Sequence, residues 1–118
     1  MNGIAIEPGG GERLERVARS HRVLCELPDI EALELHFGPD FEGVDLHTHP
    51  DHTDSFYVIA GEAEFTIDGR TMRAGPGGFI AAPSGTVHGF RNAGDGELVL
   101  LNIHAPHTGW IDRLRSSA

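Results

Sequence analysis

Histidine is the residue type that marks this chain: there are eight in 118 residues. Three of them, with one aspartate, are spaced in a way that suits a metal. His47-Thr48-His49 sets two imidazoles two residues apart. On an extended strand such residues share a face, so both rings can reach one point. Asp54 follows beyond a short polar turn, at the start of the next strand-like run, and His88 lies on another strand far downstream. Imidazoles and a carboxylate converging on one point form a donor set for a divalent transition metal. Around an octahedral ion, His47, His49, His88 and Asp54 would leave two adjacent positions for an organic ligand and O₂ or water. Strand parity sends Phe56 and Val58 inward with Asp54, and Phe90 inward with His88, so all three are expected to line a cavity. Asn102 and His104, near the end of the last strand, are expected at its mouth. His21, His36 and His107 fall near turns or on alternating polar positions and read as solvated surface. No side chain is singled out as catalytic.

The elements that must position these groups are strands. Gly (16 residues) and Pro (7) are spread from end to end, which favours many short strands over a few long helices. Ile4-Ala5-Ile6 reads as a first short strand. Glu12 to Arg19 fits a strand and turn better than a helix squeezed between Gly11 and the strand-like Arg22 to Leu27. Further runs are Ala32 to Phe37, Val44 to His49, Phe56 to Ile59, Glu64 to Ile67, Thr71 to Arg73, Phe79 to Ala82, Val87 to Asn92 and Leu98 to His104. Asp68-Gly69 between two of them is a hairpin signal, because both residue types tolerate positive φ. Strands of this length and spacing predict a sandwich or barrel. Only Thr108 to Arg115 looks helical, with Trp110, Ile111 and Leu114 as its apolar stripe. No linker or repeat divides the chain, so residues 1–118 are read as one domain.

Two spaced motifs resemble those of the cupin superfamily. Gly77, Pro83, Gly85, His88 and Asn92 match the second cupin motif without departure, and His47-Thr48-His49, Asp54 and Gly61 look like the first. Together they cover residues 47 to 92. The resemblance implies an all-β jelly-roll barrel, or double-stranded β-helix, here with a short C-terminal helix. It also implies one divalent ion (Fe, Mn, Ni, Zn or Cu) in the barrel mouth. There are two departures. The first motif's leading glycine, expected at Phe41, is displaced to Gly43. Its glutamate is replaced by Asp54, whose shorter stem withdraws the oxygen by more than about 1 Å. Direct ligation by Asp54, a bridging water, or substitution by His52 from the preceding turn are the three ways to complete the site.

The remaining composition narrows the function classes. Eighteen acids against nine arginines give a net charge of −9, and the arginines stand singly, so a nucleic-acid surface is not expected. The longest aliphatic run, Leu98 to Leu101, is too short for a membrane span. The first residues lack the cationic start and apolar stretch of a secretory signal, which together with a single cysteine favours the cytoplasm. Cys25 reads as a small buried apolar side chain. Val44, Leu46, Val99, Leu101 and Ile103 look apolar on the face away from the histidines, which predicts a homodimer; a monomer in analytical ultracentrifugation at micromolar concentration would refute it. The expected function is that of a metal-dependent enzyme acting on a small organic molecule, by dioxygenase or by Lewis-acid cyclase or isomerase chemistry. The alternative is a non-catalytic metal- or ligand-binding module.

Overall fold

The structure is a computed structural model that describes residues 3–117. Among the described residues, ten strands form two antiparallel sheets. In chain order they are β1 (Arg13–Arg16), β2 (Arg19–Leu27), β3 (Ile30–Phe37), β4 (Val44–His47), β5 (Thr53–Ala60), β6 (Ala63–Ile67), β7 (Arg70–Ala74), β8 (Phe79–Ala82), β9 (His88–Asn92) and β10 (Leu98–Ala105). One helix, α1 (Trp110–Ser116), follows. The larger sheet runs β1-β2-β3-β10-β5-β8 and the smaller β4-β9-β6-β7, the two faces of a jelly roll.

Alternation builds the core. Leu33, Leu35 and Phe37 of β3, Phe56 and Val58 of β5, Phe65 of β6, Phe90 of β9 and Leu98 and Leu100 of β10 are all buried between the sheets. Each such side chain contributes about 1.5–3 kcal/mol by leaving water. Ile111 and Leu114 of α1 join the same cluster, so the helix closes one side of the sandwich. The turn between β6 and β7 carries Asp68 and Gly69 at φ 51° and 74°, the primed hairpin geometry expected of that pair.

The structure corrects three expectations. Ile4-Ala5-Ile6 forms no strand, and both isoleucines are more than two-fifths exposed; neither edge of either sheet pairs with the segment. Val44 does not share the outer face with Leu46. The β4–β9 register shifts between Val44↔Phe90 and His47↔His88, and this bulge turns Val44 into the core while Leu46 stays 59% exposed. Gly89 makes that approach possible, because a Cβ there would stand 2.6 Å from the Val44 carbonyl oxygen. Third, His21 is buried, with its ring set edge-on to Trp110 at 5.6 Å. Cys25 is half-buried. On the outer face of the large sheet, the row Leu101, Tyr57, Phe79 leaves Tyr57 and Phe79 exposed.

Burial of His21, reinforced by the charge of Arg19, lowers its pKa from 6.5 to about 4. The folded chain therefore binds this proton less readily than the unfolded chain does. The resulting stability is complete above about pH 6.5 and is lost as the pH falls towards 4, by about 2–3 kcal/mol. Urea midpoints taken at pH 7 and pH 4.5 should fall steeply for the wild type and less for His21→Leu; equal falls would contradict this account.

Candidate metal centre

The two sheets bring His47, His49, Asp54 and His88 together from three stretches of chain. One potential ligand atom of each lies within 4.8 Å of all the others. His47 ends β4 and faces His88 across the β4–β9 ladder, with the rings 4.4 Å apart. His49 lies just beyond the strand end, so alternation alone does not set its direction. A turn does: the Gly85 amide donates to the His49 carbonyl at 2.7 Å and Thr86 N–H to Pro83 at 3.0 Å. Gly85 sits at φ 85°, a conformation that a side chain disfavours. The Pro83-x-Gly85 motif thus clamps one histidine's backbone while presenting the other, His88. Asn92 closes the motif structurally, donating to the carbonyls of Gly38 (3.1 Å) and Gly96 (2.9 Å).

The ring nitrogens are already sorted. His47 Nδ1 donates to the Asp45 carbonyl at 2.7 Å and His88 Nδ1 to the Thr86 carbonyl at 2.9 Å. A carbonyl only accepts, so these Nδ1 atoms carry the protons and each Nε2 is left to bind elsewhere. His88 Nε2 donates to Asp54 Oδ2 at 2.9 Å, and His49 Nε2 lies 3.3 Å from the same oxygen. The shortened side chain of Asp54 therefore still carries an oxygen into the cluster. Its other oxygen, Oδ1, accepts from Asn102 Nδ2 at 2.8 Å and lies 3.3 Å from His104 Nε2.

Electrostatics favour a cation at this point. Burial opposes the charge on Asp54, but hydrogen bonds from His104, His88 and Asn102 outweigh it and hold the carboxyl well below its usual range. Burial likewise disfavours a proton on His88, yet its hydrogen bonds to Asp54 and Thr86 outweigh burial and raise its pKa. His49 moves the other way. Burial and the neighbouring histidines His52, His47 and His88 outweigh Asp54 and lower its pKa. Three inward nitrogens and one ionised oxygen, two of the rings oriented through Nδ1 by backbone carbonyls, match the donor chemistry and outer-shell support of a metal site. The cluster can hold a divalent ion.

The cluster opens into a cavity of about 270 Å³. Phe56, Phe90, Asn102 and His104 line it. Val58 does not; it lies deeper, packed in the core. His52 lines the cavity and is buried, but its Nδ1 is engaged by Asp51 at 2.9 Å, and it stands outside the four-residue cluster. His36 is half-buried between Glu34 and Glu97, and His107 is exposed. Sequence reasoning missed Arg19, His21, Thr108, Trp110 and Arg113 in the cavity wall. It also missed Glu31, a fully buried carboxylate whose Oε1 accepts from Thr108 N–H at 2.7 Å and lies 3.3 Å from His104 Nδ1. Parity with Leu33 and Leu35 was the signal for Glu31.

A two-sheet jelly roll with a His/Asp cluster at its open end defines a class of small β-sandwich. The cupin domain family model matches residues 33–104, and the chain belongs to that family. Quercetin 2,3-dioxygenase of Bacillus subtilis (strain 168) is 29% identical over 89 residues. That stretch is 73% of this chain but 26% of the relative, so the chain spans about a quarter of that enzyme. Among solved structures, KdgF from Halomonas sp. superposes with a TM-score of 0.82 at 20% identity, over 94% of this chain and 99% of that one. An RmlC-like cupin from Shewanella frigidimarina gives 0.80 at 17% identity, over 94% and 96%. At these identities the two structures share the fold.

Proposed function

We propose that this protein is a metal-dependent enzyme acting on a small organic molecule, with His47, His49, Asp54 and His88 as ligands of one divalent ion. The observation that carries the reading is the preorganised cluster at the base of a cavity, with His47 and His88 fixed through Nδ1 so that Nε2 faces inward. A bound divalent ion supplies Lewis acidity and, if redox-active, electron transfer. The chain supplies the rest. Asn102 holds Asp54 Oδ1, which leaves Oδ2 for the ion. Phe56 and Phe90 keep the reacting groups in an apolar setting, where electrostatic contacts are stronger than in water. The similarity to quercetin 2,3-dioxygenase supports oxygen-dependent ring chemistry as the first reaction to try, and Lewis-acid cyclisation or isomerisation as the second.

The test loads purified protein separately with Fe²⁺, Mn²⁺, Ni²⁺, Cu²⁺ and Zn²⁺ and offers flavonols, diketones and polyketide-like aromatics with and without O₂. One ion per chain with oxygen uptake or conversion of a compound is the expected result. Stoichiometric ion with ligand-induced thermal stabilisation but no product would identify a binding module instead.

A further inference from the structure

The charge around the cavity runs against that of the chain. Of eighteen acidic residues in a protein of net charge −9, only Asp54 lines the cavity, while Arg19 and Arg113 both do. Arg22, Arg73, Arg91 and Arg115 are neutralised by carboxylates. Arg19 and Arg113 form no salt bridge among the described residues; Arg113 Nη1 donates only to the Thr108 carbonyl at 3.2 Å. These two guanidiniums come from the start of β2 and from α1, whereas the His/Asp cluster comes from β4, β5, β9 and the segment after β4. Trp110 lines the same cavity, its ring edge-on to His104 at 5.3 Å and to His21 at 5.6 Å, which offers an aromatic surface to a planar ligand. The influence of Arg19 reaches inward, since its charge contributes to the lowered pKa of His21.

We propose that the cavity selects a planar organic carboxylate, held by Arg19 and Arg113 at the β2–α1 side while its oxygen donors face the His/Asp cluster. Guanidinium groups match carboxylates by paired hydrogen bonds, and a cationic wall in an acidic protein draws anions to the cavity. This deepens the metal-enzyme reading by naming the substrate class, and the anion contacts themselves need no metal.

The chain's single tryptophan, Trp110, makes the test direct. Its emission is titrated in metal-free and Zn²⁺-loaded protein with 3,4-dihydroxybenzoate and with its uncharged methyl ester. The acid is expected to bind about ten- to a hundredfold tighter than the ester in both forms. In the Arg19→Gln/Arg113→Gln double variant that ratio should collapse to about twofold, with the ester unaffected; Arg19→Lys/Arg113→Lys should retain part of it. No preference in the wild type, or a preference that survives in the glutamine variant, overturns the proposal. Failure to take up Zn²⁺ would defeat the metal reading alone, because the metal-free titrations still decide the anion question.

Discussion

His88→Ala is expected to lower Zn²⁺ affinity by more than about 100-fold, because changes to mere outer-shell partners of a metal ligand already cost roughly 10–100-fold. His88 is the hub of the cluster: it faces His47 in the ladder, reaches Asp54 Oδ2 through Nε2 and is fixed by Thr86 through Nδ1. Its hydrogen bonds to Asp54 and Thr86 outweigh burial and raise its pKa, so the metal-free ring holds a proton on Nε2 more firmly than a free imidazole does, and an incoming ion competes with that proton. Affinity is read by competition with a chromophoric chelator, and proton release by the buffer dependence of the binding heat. The wild type should gain about 4 kcal/mol of unfolding free energy at an ion concentration a thousand times its Kd, and the variant at the same concentration should keep no more than about 1.4 kcal/mol of it. His88→Gln, which preserves more volume in the core, separates loss of the ligand from loss of packing. His52→Ala, outside the four-residue cluster, should cost less than about tenfold. Equal affinity in His88→Ala and wild type would remove the assignment, and a large loss in His52→Ala would transfer the fourth position to His52.

The cluster was legible because its signals are local. A His-x-His pair, a turn and a Pro-x-Gly-x-x-His spacing specify backbone geometry over a few residues, and the structure gives each a mechanical reason, such as the Gly85 amide on the His49 carbonyl. The strand series was legible for the same reason, down to the Asp68-Gly69 hairpin. What escaped depends on partners remote in sequence. The bulge in β4 that inverts Val44 arises where β4 lies against Gly89 of β9, and no alternation within β4 announces it. His21 looks polar and superficial until α1 folds over β2 and sets Trp110 beside it. The cavity's cationic side is invisible for the same cause, since Arg19 and Arg113 stand 94 positions apart in the numbering and come to line one cavity only through that docking. Ile4-Ala5-Ile6 shows the converse failure: a strand-like pattern becomes a strand only when a sheet edge pairs with it, and none of the edges does.

Glu31→Ala is expected to destabilise the metal-free protein by about 3 kcal/mol or more, because buried donors left without acceptors cost about 1–3 kcal/mol each. Glu31 is fully buried in β3 and accepts from the Thr108 amide and hydroxyl, and its Oε1 faces His104 Nδ1. Its other oxygen receives a long contact from the Ile111 amide at 3.5 Å. One carboxylate thereby ties the start of α1 to the strand that carries Asn102 and His104. Burial alone would raise its pKa, but the Thr108 and His104 hydrogen bonds outweigh burial and lower it from 4.5. The stabilisation is therefore complete above the unfolded value and disappears as the pH falls through the folded one. Urea unfolding of the wild type and Glu31→Gln should differ most near neutral pH and converge in acid; a gap that widens on acidification would reverse the sign. Because α1 carries Trp110 and Arg113, the same substitution should also speed hydrogen exchange at residues 108–116 and loosen the cavity wall. Faster exchange confined to β3, with α1 still protected, would mean that the helix is held by Ile111 and Leu114 in the core and that the buried carboxylate serves only His104.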